Sequence, residues 1–241
     1  MALVTGGGTG IGRATALKLA ERGADVAVNY SRSEAEARET VAEIEKLGRR
    51  ALAVRADVAV LDDVTAMVAR TVQELGRLDV LVNNAGWTAF IDFKNLDELT
   101  DDVWDRTMAV NVKGPFFCAR AAAPHMKQAG DGVIVNVSSM AGTLGRGSSI
   151  AYCASKAALN ILTRTLSRVL APEVRVNSVA PGVVTTRWVA DQKAFVRGAQ
   201  MQTPLRRVAT AEDVAQVIVA LIENADFVTG QIVPVDGGLS A

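Results

Sequence analysis

The run Tyr152-Cys153-Ala154-Ser155-Lys156 sets a phenol and an ammonium four residues apart. On a helix that spacing puts both groups on one face. An ammonium beside a phenol favours the phenolate and would draw the Tyr152 pKa from ~10 toward neutrality. Tyr152 would then serve as a general acid or base at working pH. Near the other end of the chain lies Thr5-Gly6-Gly7-Gly8-Thr9-Gly10-Ile11-Gly12. Its spacing is neither G-x-G-x-x-G nor a P-loop, because no Gly-Lys-Ser/Thr closes it. The physics of such a turn is the same: residues without side chains let the backbone approach a pyrophosphate, and the helix that follows aims free N–H groups and a positive dipole end at the anion. About 20 residues further on, folds that take NAD place an acid for the ribose 2′-hydroxyl. Here that region reads Asn29-Tyr30-Ser31-Arg32-Ser33. An Arg fork between two hydroxyls suits a 2′-phosphate, so the segment predicts NADP (NADPH) rather than NAD. Ser33 with Glu36 also reads as a capping box for the next helix.

These groups need a scaffold, and the chain alternates short apolar runs with amphipathic ones. Strands are expected at Ala2–Val4, Asp25–Tyr30, Arg50–Arg55, Leu78–Val82, Gly132–Val137, Val174–Val179 and Gln231–Val235. Helices are expected at Ile11–Glu21, Glu34–Leu47, Asp62–Leu75, Thr100–Met126 (bent near Gly114-Pro115), Tyr152–Leu170, Val189–Met201 and Ala211–Glu223. Runs such as Val133-Ile134-Val135 are apolar without alternation, as a sheet covered on both faces requires. Repeated strand–helix–strand units imply an α/β fold, a Rossmann-type doubly wound parallel sheet flanked by helices. No linker divides the 241 residues, so one domain spanning 1–241 is expected.

Composition excludes several alternatives. Lys plus Arg number 26 against 26 Asp plus Glu, and hydrophobic residues make up 49%. That balance argues against disorder and against a nucleic-acid partner bound through bulk charge. Two cysteines, Cys118 and Cys153, cannot build a disulfide scaffold. The single histidine, His125, removes His triads and multi-His metal sites, and no metal is expected. No long apolar run or export-type leader stands out, so a cytoplasmic protein without a membrane partner is expected. Asp62-Asp63 and Asp101-Asp102 read as dipole complements at helix starts. Arg206-Arg207 reads as a solvated turn, and Cys118 and Cys153 as helix packing.

In an open parallel sheet, ligands gather outside the carboxyl ends of the strands. The glycine turn, Asn83-Asn84-Ala85-Gly86, Ser139 and Pro181-Gly182 all follow strands and so converge on one edge. With Asp57-Val58, Asn111, Tyr152-x-x-x-Lys156 and Thr186 they occur in the order found in short-chain dehydrogenases/reductases, which this chain resembles over nearly its whole length. The resemblance implies that Tyr152 is the acid/base, that Ser139 holds and polarises the substrate oxygen, that Lys156 binds nicotinamide ribose and tunes Tyr152, and that Asn111 supports a water leading from Lys156 to solvent. It implies further that Gly6, Thr9, Gly10, Ile11, Tyr30, Ser31 and Arg32 serve the phosphates. Asp57 and Val58 would line the adenine pocket, and Asn84, Ala85 and Gly86 would lie along the cofactor. Pro181 and Gly182 would border it, with Val184 and Thr186 at its carboxamide.

The implied activity is hydride transfer between a nicotinamide and a ketone or aldehyde, with a small carbonyl or alcohol as substrate. Within the family the chain looks most like 3-oxoacyl-[acyl-carrier-protein] reductases. Those carry basic residues beside the cleft for the acyl carrier protein, whereas Gln128–Gly132 and Ala171–Val174 offer none, which favours a free small substrate. A non-catalytic NADP-binding regulator is the alternative, and the intact catalytic-type set speaks against it. Trp87, Phe90 and Trp188 are candidate substrate walls, and Thr185–Gln202 a lid. Family members are commonly tetramers, so a homotetramer is expected through the two long helices.

Overall fold

A computed structural model describes residues 1–241. Seven parallel strands, β1 (Ala2–Val4), β2 (Val26–Tyr30), β3 (Ala51–Arg55), β4 (Val80–Asn83), β5 (Gly132–Val137), β6 (Val174–Pro181) and β7 (Ile232–Val235), form one sheet in the order β3-β2-β1-β4-β5-β6-β7. The expected Rossmann-type α/β fold is therefore the observed one. Val4 pairs with both Val28 and Val82, and Val82 pairs with Val135. Central strands thus end level with one another, and the loops that leave them share one edge. The helices are α1 (Gly10–Glu21), α2 (Glu34–Lys46), α3 (Leu61–Leu75), α4 (Asp101–Met108), α5 (Gly114–Ala129), α6 (Ala141–Leu144), α7 (Ile150–Leu170), α8 (Lys193–Gln202) and α9 (Ala211–Glu223).

The unbroken apolar strands are explained by burial on both faces. Leu3 and Ile134 point into a cluster that includes Val64 and Met67 of α3, Cys118, Ala119 and Met126 of α5 and Leu166 of α7. Their neighbours Ala2, Val4, Val133 and Val135 point the other way, to Leu19 of α1, Ile44 of α2 and Val214 and Ile218 of α9. Cys118 is free and fully buried, where burial pushes its thiol up to about 12, so it acts as a small apolar group. Cys153 is free and buried as well. Asp62-Asp63 and Asp101-Asp102 lie in the first turns of α3 and α4, the dipole placement expected for them.

Three local expectations are corrected. The long helix expected from Thr100 to Met126 is broken by a π-helical turn at Ala109–Lys113, ahead of the Gly114-Pro115 pair. Pro115 lacks an N–H and sits where a new helix start tolerates it. Gly114 is there for space: a Cβ would stand 2.9 Å from Val58 Cγ2. The Ser33–Glu36 capping box does not form; Ser33 makes no side-chain cap, and both side chains are engaged by Arg187 instead. A capping box occurs at Thr210 and Asp213, where Asp213 also binds Arg207 at 2.9 Å. Finally, Val189–Met201 is not one helix. A 3-10 turn at Arg187–Val189 precedes α8, and α6 forms with no counterpart among the expected helices.

The glycine turn touches the second unit of the fold directly. A Cβ on Gly8 would lie 2.8 Å from the backbone nitrogen of Ala37 in α2, and backbone cannot yield as a flexible side chain can. Gly8→Ala should therefore lower the unfolding free energy by about 1–3 kcal/mol through overpacking, read as a shift in the denaturant midpoint. An unchanged midpoint would show that α2 is not held against the turn.

Candidate active site

The site is built where the strand order reverses, between β1 and β4, the place at which doubly wound sheets bind ligands. After β1 the chain turns through Gly6 and Gly10, whose positive φ values of 60° and 52° favour glycine. The turn is laced to its neighbours. Gly6 N donates to Asn29 Oδ1 at 3.2 Å, and Asn84 Nδ2 donates to the carbonyls of Thr5 and Gly6 at 2.9 and 3.1 Å. Thr5 Oγ1 accepts from the backbone N–H groups of Asn84 and Ala85, both at 3.0 Å. Gly12 is packed so closely that a Cβ there would collide with the Gly6 carbonyl and lie 2.5 Å from Asn84 Nδ2.

A nicotinamide dinucleotide fits these residues on two observations. Thr9, at the start of α1, makes no side-chain cap, and no carboxylate lies in the first turn, so the orphan N–H groups there suit a phosphate. The glycine positions leave a backbone-lined cradle that side chains would fill. From this turn a cleft of about 1270 Å³ runs along the sheet edge. Gly6, Thr9, Gly10 and Ile11 line it, as do Tyr30, Ser31 and Arg32 at the end of β2 and Asn84, Ala85 and Gly86 after β4. Ser139, Tyr152, Lys156, Pro181, Gly182, Val184 and Thr186 complete that part of its wall.

Three expected residues stand apart from the cleft. Val58 is buried in the core beside α3 and α5. Asp57 borders a smaller hollow with Ser31, Arg32, Arg55 and Arg106, and pairs with Arg106 at 2.9 Å. Asn111 lies fully buried behind the cleft. Its Oδ1 accepts from Trp87 N at 2.8 Å, and its Nδ2 donates to Trp87 O at 2.9 Å and Ser155 Oγ at 3.0 Å. The π-helical turn is what carries this amide inward.

At the other end of the cleft, Ser149 caps α7 by accepting from Tyr152 N at 3.2 Å. Tyr152 and Lys156 then follow on one face, with the Lys156 nitrogen 5.6 Å from the Tyr152 ring centre. Ser139, just past β5, accepts from Ala141 N at 3.1 Å. The Tyr152 pKa differs from expectation. Burial pushes the phenol up to about 12, with the Ser139 hydroxyl acting in the opposite direction. Lys156 donates to the Val137 carbonyl at 2.8 Å, and burial alone lowers its ammonium to about 8. The lowering of Tyr152 expected from Lys156 is not what this site shows: the one group that lowers the phenol is the Ser139 hydroxyl, desolvation dominates, and Tyr152 is protonated at neutral pH.

The far wall comes from the segment 185–202. Trp188 meets Tyr152 edge-on with ring centres 6.3 Å apart, and Phe195 of α8 meets Phe90 at 6.5 Å. Trp188, Phe90 and Trp87 all line the cleft, although Trp87 also packs on the core. Sequence reasoning missed the hydroxyl of Thr5, the amide of Asn29, the side chains of Arg187 and Phe195, the exposed Arg146 and the tail Leu239–Ala241, all of which bear on the cleft or hold its walls. For the tail the one local signal was Gly237-Gly238 after the last strand, where Asp236 accepts from Gly238 N and Ser240 N and curls the chain back.

The family model for short chain dehydrogenases matches residues 1–196. The 3-oxoacyl-[acyl-carrier-protein] reductase of Staphylococcus aureus (strain Mu50) is 40% identical over 242 residues, covering 99% of this chain and 97% of that protein. The cis-4-hydroxycyclohexanecarboxylate dehydrogenase of Sinomonas cyclohexanicum is 42% identical over 245 residues, covering 100% and 96%. Among solved structures, a short chain dehydrogenase from Burkholderia cenocepacia J2315 in complex with NADP superposes with a TM-score of 0.93 at 38% identity, covering 100% of this chain and 97% of that one.

Burial of Lys156 has a consequence for stability. An unfolded lysine keeps its proton to ~10.4, while the folded one releases it near 8. Between those values the unfolded state binds more protons, so unfolding free energy rises with pH. Relative to Lys156→Met, the wild type should gain up to about 1.4 kcal/mol per pH unit between 8 and 10. Denaturation curves of both proteins across that range check it; parallel pH profiles would mean that Lys156 is solvated.

Proposed function

This chain belongs to the short-chain dehydrogenase family, and on that premise we propose that it is an NADP(H)-dependent oxidoreductase interconverting a ketone or aldehyde with the corresponding alcohol. Residues 1–241 act as one dinucleotide-binding unit, with 185–202 as its lid. What carries the reading is that Ser139, Tyr152 and Lys156 line the same cleft as the uncapped start of α1.

NADPH, when bound, supplies the hydride. The chain's own residues manage the oxygen. As negative charge grows on the carbonyl oxygen, the hydroxyls of Ser139 and Tyr152 meet it with hydrogen bonds. Tyr152, kept protonated by burial, gives up its proton to that oxygen. Lys156 is held on the Val137 carbonyl beside the ring and stabilises the resulting phenolate with its charge. Asn111 acts as the anchor beneath them, tying Trp87 to Ser155 one residue before Lys156. Trp188, Phe195 and Phe90 wall the substrate end with apolar rings. The non-catalytic alternative has no observation behind it.

The apolar walls favour a free small carbonyl compound. Reduction of a 3-oxoacyl thioester is the related subtype, supported by likeness to the staphylococcal reductase. Against a carrier-protein partner stands the lack of any Lys or Arg in Gln128–Gly132 and Ala171–Val174. Exposed Phe116 on α5 and Ile161 and Val169 on α7 support pairing of copies into a homotetramer through these helices.

NADPH oxidation across a panel of ketones and aldehydes tests the activity. Tyr152→Phe should cut turnover by about 10²–10⁴-fold with cofactor Kd unchanged, and full turnover in that variant would end the assignment. Arg32→Ala should raise KM for NADPH by about tenfold or more, the loss of a charged hydrogen bond, and leave KM for NADH nearly unaltered. Equal changes for the two cofactors would count against the 2′-phosphate role.

A further inference from the structure

Ser33 and Glu36, the two members of the capping box that does not form, meet a cation from the lid. Arg187 donates to Ser33 Oγ at 3.0 Å and lies 3.5 Å from Glu36 Oε1. Its two chain neighbours also reach inward. The Thr186 methyl carbon lies 3.3 Å from the position a Cβ on Gly10 would take, and the Trp188 ring lies 3.2 Å from the corresponding position on Gly86. Three successive lid residues thus span the cleft from the start of α2, over the glycine turn, to the Tyr152 end.

Arg187 is spent on a pair that holds little. Both partners are half-exposed, at 55% and 46%, and such pairs are weak in water. The guanidinium offers five N–H donors, of which Ser33 and Glu36 take two. It lines the same cleft as Ser31 and Arg32, the two residues that precede its partner Ser33 in the chain. A phosphate monoester there would present close to two negative charges and three acceptor oxygens, a better match for an arginine fork than one distant carboxylate oxygen.

We infer that Arg187 is a second specificity residue for the cofactor's 2′-phosphate, borne by the lid, and that it joins Arg32 in reading that phosphate while Glu36 competes for it. The inference rests on the NADP reading above. It makes cofactor choice depend on a residue of the 185–202 segment as well as on the end of β2.

The test is binding of two fragments, adenosine 2′,5′-bisphosphate and 5′-AMP, by titration calorimetry, without turnover. Wild type should prefer the bisphosphate. Arg187→Ala should reduce that preference about tenfold, Arg187→Lys should restore part of it, and Glu36→Gln should increase it by releasing the guanidinium. If wild type shows no preference, the NADP reading falls and this inference with it. If wild type prefers the bisphosphate but Arg187→Ala keeps the full preference, or weakens both fragments equally, the NADP reading stands and the role of Arg187 is overturned. Arg187 is exposed, so its loss should not threaten folding; a thermal melt of each variant checks that.

Discussion

Everything at the site hangs on the lacing between the loops that leave β1 and β4. At that point the strand order reverses, the connections after β1 and β4 leave toward opposite sides of the sheet, and a crevice opens. A crevice between two free loops would be loose, yet here one threonine hydroxyl accepts two backbone N–H groups while one asparagine amide serves two carbonyls across the gap. Asn29 adds a tie from β2. The backbone that faces the dinucleotide is thereby fixed before any ligand arrives, which removes an ordering cost from binding. The glycines follow from this closeness: Gly12 sits where the laced carbonyl leaves no room for a methyl group.

The electrostatics of the catalytic end come from desolvation more than from pairing. Tyr152 and Lys156 stand near each other, but burial shifts each toward its neutral form. The ammonium rests on a carbonyl, with no carboxylate to hold its charge. Such a pair is poised: added negative charge beside it, on an oxygen or a phosphate, favours the lysine cation and through it the phenolate. The low dielectric that disfavours charge in the free protein strengthens those interactions once the cleft fills.

The strands and most helices are legible in the sequence because burial on both faces leaves unbroken valine-rich runs, and helical spacing marks α1, α3, α7 and α9. Ser139, Tyr152 and Lys156 are legible by type and order. What escapes is whatever depends on residues meeting across long stretches of chain. Ser33 and Glu36 have the spacing of a cap, and nothing nearby in sequence says that an arginine some 150 residues away will take both. The phenol's pKa escapes for a similar reason: a motif shows the neighbouring cation but not the depth of burial. Asn111 is visible as a residue, while its clamp on Trp87 and Ser155 is not, because a helical pattern carries no sign of a π-helical turn.

That turn ties two properties of the molecule to a single register. Before it, α4 runs as an ordinary helix; after it, α5 presents Cys118, Ala119, Ala122 and Met126 to the sheet. One residue more or less in a helix rotates everything beyond it by roughly 100°. A deletion within 109–113 would relax the turn to a plain α-helix, but either Asn111 would leave the back of the site or the apolar stripe of α5 would swing off the sheet. The wide turn is therefore a spacer whose residue count, more than its side chains, sets both the depth of Asn111 and the facing of α5.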